Sequence, residues 1–131
     1  MSRFQVLSVV VLALSAALVS ALPAASRPAK TVVNVAAGKP SGFHFTLSKS
    51  SVPAGSVTFD VKNVSTFPHT FKLCSSPKGG TGNSCTGKGT SMISPGGTAA
   101  LTVTLKKGSY EYLCTIPGHA AGGMKGILKV T

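Results

Sequence analysis

From Thr31 onward, apolar side chains recur at every second residue in short runs, and no stretch holds a 3.6-residue repeat. The runs are TVVNVAA (31–37), FHFTL (43–47), SVTFDVKNV (56–64), HTFKL (69–73), TAALTVTL (98–105), SYEYLC (109–114) and GILKVT (126–131). They are rich in Val, Thr, Phe and Tyr, which suit a half-buried pleated surface. Between them lie turn signals: Gly38-Lys39-Pro40-Ser41-Gly42, Pro53-Ala54-Gly55, Pro95-Gly96-Gly97 and Lys107-Gly108. Seven to eight short strands at this spacing predict an all-β chain folded as a Greek-key β-sandwich. Each strand then offers one face to a shared core. In FHFTL, Phe43, Phe45 and Leu47 are expected to face inward, which leaves His44 outside with Thr46.

The first thirty residues follow a different logic. Arg3 supplies a positive start, Phe4–Ser26 holds no charge, and the dense apolar run ends in small residues. That is the layout of a secretory signal peptide over residues 1–21, cut after Ala21. The uncharged run is also long enough to span a bilayer, so an N-terminal anchor stays open. Residues 22–30 read as a linker and residues 31–131 as one domain, expected to be a monomer. The expected address is outside the cytoplasm: periplasmic, cell-surface or extracellular, with anchoring to a membrane as the variant. Thirteen Lys and Arg face only Asp60 and Glu111. Losing Arg3 with the leader lowers the formal charge from +11 to +10. The lysines are scattered and form no basic-aromatic recognition pattern, so nucleic acid is not expected. The charge fits an orienting field for an anionic partner, or plain solubility.

Residues 75–97 break the rhythm: they are Gly-, Ser- and Thr-rich and poor in core-forming side chains. A loop of this length is functional or stapled. Cys74 stands at its base and Cys85 within it, two of the three cysteines in the chain. In an oxidising compartment this pair is most simply a disulfide.

Cys114 is then left over, and it stands in YLCTIPGHAAGGM with His119 and Met124 at two equal intervals of five. Small and turn-forming residues between the three allow their side chains to converge. A thiolate, an imidazole and a thioether suit copper in both oxidation states. A second imidazole has to come from His44 or His69. His44 reads as a surface residue, whereas His69 follows Pro68, which fixes the chain where the ligand begins its strand. His69 is therefore the expected fourth ligand. Zinc seldom takes methionine, and its structural sites usually pair cysteines. A nucleophilic Cys114 with His119 as base lacks an orienting carboxylate. A multicopper enzyme needs more than three histidines. No enzyme activity is expected.

With these residues in place, the chain resembles a cupredoxin of the plastocyanin, azurin and auracyanin kind. CTIPGHAAGGM resembles that family's ligand loop, FPH in NVSTFPHTF its upstream histidine segment, and VPAGSVTFDVKN the strand before it. The resemblance implies one mononuclear type 1 copper, with His69, Cys114 and His119 as equatorial ligands and Met124 as the weak axial one. It implies an electron shuttle working by Cu(II)/Cu(I) cycling; an exported copper carrier or store of the same fold is the alternative. Anionic redox proteins would dock near His119. Plastocyanins usually carry Asn after the first histidine, where Thr70 stands here; its hydroxyl is expected to make a similar hydrogen bond, with Pro68 bracing the same ligand. Plastocyanins also place a tyrosine where Leu113 stands, which removes the remote electron path and leaves His119 as the route.

Overall fold

The computed structural model describes residues 22–26, 29–75 and 82–131. The expected signal peptide, residues 1–21, lies outside the described residues, as do two residues of the linker. The remaining linker residues carry no regular secondary structure.

Nine strands form among the described residues: β1 Thr31–Ala37, β2 Phe45–Leu47, β3 Ser51–Val52, β4 Gly55–Asn63, β5 Lys72–Cys74, β6 Gly87–Gly89, β7 Thr98–Leu105, β8 Gly108–Leu113 and β9 Lys125–Val130. They make two sheets, a four-stranded one in the order β2-β1-β4-β7 and a five-stranded one in the order β3-β9-β8-β5-β6. No helix occurs among the described residues. The count exceeds the expected seven to eight because β3 and β6 span only two and three residues. Runs that short carry no legible alternation. They exist because a neighbouring strand offers its free backbone groups.

Alternation decides which face is buried. Val33, Val35 and Ala37 of β1 point inward with Val57, Phe59 and Val61 of β4 and Leu101, Val103 and Leu105 of β7. The second sheet answers with Leu73, Tyr110, Leu128 and Val130. Burying one such side chain contributes about 1.5–3 kcal/mol against leaving it in water. Aromatic rings fill one end of the sandwich: Phe71 lies edge-on to Phe45 at 5.3 Å and packs on Phe59 at 5.1 Å and Tyr112 at 5.7 Å.

Two segments depart from the sequence reading. Regular pairing in HTFKL starts only at Lys72, and His69 instead makes an isolated bridge with Ile93. Ile93 belongs to the loop expected to lack core residues, yet it is buried among them. The outer face of β8, which a two-layer sandwich leaves to water, is also covered. Leu113 is fully buried against Cys74, Cys85 and Ala120. Glu111 is buried beside it, with its Oε2 lacking a hydrogen-bond partner among the described residues.

Candidate metal centre

Strand register brings the ligand segments to one end. Lys72, Leu113 and Lys125 are neighbours across β5, β8 and β9. One residue beyond that line stand Cys114, where β8 has just ended, and Met124, where β9 has yet to begin; His69 lies three residues before β5. The backbone closes the gap, since Cys114 N–H donates to Met124 O at 3.0 Å. Between them, residues 117–123 form one continuous turn rather than two separate ones. His119 N–H donates to Ile116 O at 3.1 Å, Gly122 N–H to Gly118 O at 2.9 Å and Met124 N–H to His119 O at 2.9 Å. The turn needs backbone at φ +83° and +111°, which Gly118 and Gly123 supply without a Cβ penalty.

The side chains converge as expected. The Nδ1 of His69 stands 3.2 Å from the Nδ1 of His119, and the Cys114 Sγ stands 3.5 Å from the latter. All three donor atoms lie within 4.8 Å of one another. His69, Cys114 and Met124 are buried to 1% exposure or less, while His119 is half-buried. Burial lowers the pKa of His69, with His119 lowering it further, and burial lowers that of His119 as well. Both rings are therefore kept neutral, the form in which a ring nitrogen can hold a metal. The donor set fits copper: two imidazole nitrogens and a thiolate aimed at one point, a buried thioether beside them and no carboxylate. One type 1 copper site is formed by His69, Cys114, His119 and Met124.

Thr70 laces the ligand segments together. Its N–H donates to Cys114 Sγ at 3.4 Å, and its hydroxyl accepts the Thr115 N–H at 2.8 Å while meeting the Thr115 hydroxyl at 2.7 Å. Pro68 is exposed and directly precedes His69. His44 is exposed and hydrogen-bonded through Nδ1 to the Ser41 hydroxyl, away from the donor cluster. Cys74 and Cys85 form the disulfide, with their Cα atoms 5.6 Å apart. Met92 is 65% exposed.

Phe43 corrects the sequence reading. It does not enter the core but stands 39% exposed, its ring 4.6 Å from the His119 ring and 5.9 Å from that of Phe67. Alternation fails there because regular pairing in β2 starts only at Phe45. Ser65 and Asn63 also escaped the sequence reading. Asn63 occupies a core-facing position of β4 and donates through Nδ2 to Phe67 O at 2.7 Å and Ile93 O at 2.9 Å. A buried Asn at the end of an apolar alternation was the available signal.

Comparison with known proteins agrees with this geometry. The model of the family described as copper binding proteins, plastocyanin/azurin family, matches residues 31–131. Auracyanin from the photosynthetic bacterium Roseiflexus castenholzii, reduced with dithionite, is similar at 26% identity over 77% of this chain and 96% of that one, with a TM-score of 0.61. Auracyanin B is similar at 28% identity over 80% and 91% of the two chains, with a TM-score of 0.62. Rusticyanin from Thiobacillus ferrooxidans shares 28% identity over 78% of this chain and 77% of that one, with a TM-score of 0.60. No curated protein matches by sequence.

Proposed function

The chain belongs to the plastocyanin/azurin family of copper-binding proteins, small electron-transfer proteins rather than enzymes, and from that premise we propose that it carries single electrons between redox partners outside the cytoplasm. Copper at the site supplies one electron per cycle by alternating between Cu(II) and Cu(I). The chain's own work is to hold the donors still. One observation carries the reading: three of the four ligands are fully buried and only His119 reaches partway to the surface. Such a site resists ligand exchange, as a shuttle needs, whereas a copper carrier works through open, exchangeable ligands. The rigidity also keeps the geometry nearly constant on reduction, so little energy goes into reorganisation.

His119 is the natural port. Phe43 packs on its ring, and Phe67 and Val64 stand exposed nearby in sequence to the His69 segment, at 51% and 40%. This apolar rim suits brief docking, and the chain's excess of Lys and Arg steers an anionic partner toward it. Leu113 offers no second port, because it is sealed beneath the disulfide.

Cyclic voltammetry of the copper-loaded protein tests this. A reversible one-electron wave with an intense Cu–thiolate colour is expected. A colourless Cu(II) complex that surrenders its metal to a mild chelator would leave the carrier reading in its place. Recovery of an acidic redox protein cross-linked beside His119 tests the docking face.

A further inference from the structure

The ring nitrogen of His69 that faces away from the donor cluster is not in water; His69 is fully buried. Its Nε2 lies 2.7 Å from the hydroxyl of Ser65, four residues earlier. The surroundings of that hydroxyl settle who donates. A serine hydroxyl has one hydrogen and two lone pairs. One lone pair takes the Phe67 N–H at 3.1 Å. Two carbonyl-type oxygens, Asn63 Oδ1 at 2.9 Å and Phe67 O at 3.0 Å, face the same Oγ and can only accept. If the hydroxyl gave its hydrogen to His69, its lone pairs would oppose both of these oxygens. The hydrogen therefore goes to an oxygen, and the remaining lone pair takes Nε2–H.

We propose that Ser65 is a positioning residue for the copper site: by accepting Nε2–H, it fixes His69 in the tautomer whose Nδ1 lone pair faces Cys114 and His119. Asn63 holds Ser65 in turn, since its Oδ1 also accepts the Ser65 N–H at 3.0 Å and its two amide hydrogens are taken by Phe67 O and Ile93 O. Gly38 closes the other side. A Cβ there would stand 2.4 Å from the Ser65 Cβ, and the backbone has φ +101°. The turn after β1 thus presses on Ser65 where no other residue fits. A hydroxyl in a crowded pocket, supported by a saturated amide, leaves the imidazole one orientation. Partners of this kind orient metal-bound histidines and raise ligand basicity. The inference rests on the copper site and not on the electron-transfer role, so its test needs no redox partner.

The test reads the proton directly. In the diamagnetic Cu(I)-loaded protein, ¹⁵N-resolved imidazole spectra should show His69 protonated on Nε2, with the hydrogen exchanging slowly with solvent. Ser65→Ala should speed that exchange at least tenfold and weaken Cu(I) retention against a chelator by about 10–100-fold. Ser65→Thr, which keeps the hydroxyl, should retain the tautomer. An unprotonated Nε2 in the parent protein overturns the proposal. So does a Ser65→Ala protein whose exchange and copper affinity are unchanged, even if it melts at a lower temperature. Should Ser65→Ala not fold, the tautomer of the parent protein decides the matter alone.

Discussion

Thr70 and Thr115 tie the two ligand-bearing segments together across 45 residues of sequence, hydroxyl to hydroxyl at 2.7 Å, with the Thr115 N–H on Thr70 Oγ1 at 2.8 Å. Replacing Thr70 by Val keeps the shape and deletes the acceptor. Thr115 N–H then loses its partner, at a cost of about 1–3 kcal/mol. The Thr70 N–H to Cys114 Sγ contact belongs to the backbone and survives. Thermal unfolding should show the lower stability while the Cu–thiolate absorption stays. Loss of the colour with unchanged stability would contradict this division of labour.

Cys114→Ser should abolish the Cu–thiolate colour, because Cys114 is the free thiol among the cysteines. His44→Ala should keep it, since His44 is exposed and engaged with Ser41. Visible absorption and electron paramagnetic resonance of the Cu(II) forms check both. The reverse pattern would displace His69 from the ligand set.

Removing the Cys74–Cys85 bridge by a double change to Ser should cost about 2–3 kcal/mol, the usual worth of a loop of this size. Denaturant unfolding measures it. Because Leu113 and Ala120 pack on this bridge and flank Cys114 and His119, copper retention should fall along with stability. A variant as stable as the parent would show that the packing, not the covalent tie, holds this face.

Phe43→Ala should leave the copper absorption unchanged and slow electron exchange between protein molecules or with an anionic partner several-fold. Its ring lies against His119 yet is 39% exposed, so it contributes contact surface rather than core. Stopped-flow rates read the effect. An unchanged rate would place the docking face elsewhere.

Copper-free protein should lose stability as pH falls below about 6.5, where unfolded histidines begin to take up protons. In the folded chain, burial keeps His69 and His119 below that value, with His119 adding to the shift on His69. Between the folded and unfolded pKa values, the unfolded chain therefore holds more protons, and stability rises with pH. Only Asp60 and Glu111 among side-chain carboxylates could confuse the slope, and they titrate lower in the unfolded chain. Melting temperatures from pH 5 to 8 should climb and then level off. A flat profile would mean that the histidines are not buried without copper.

Sequence by itself determined the two-sheet character, the pairing of Cys74 with Cys85, and the ligands His69, Cys114, His119 and Met124. These features are local or countable: alternation states which residues of one strand share a face, and three cysteines leave one unpaired. It did not determine Phe43 as part of the His119 rim, Ile93 as core, or Ser65 as the partner of His69. Nor did it show that β8 is covered on both faces at Leu113 and Glu111. Each of these depends on which segments meet, and that is decided by register and loop closure between residues far apart in the chain. His69 and His119 are 50 residues apart, yet their Nδ1 atoms are separated by only 3.2 Å. Periodicity carries no record of that distance; only the packed sandwich sets it.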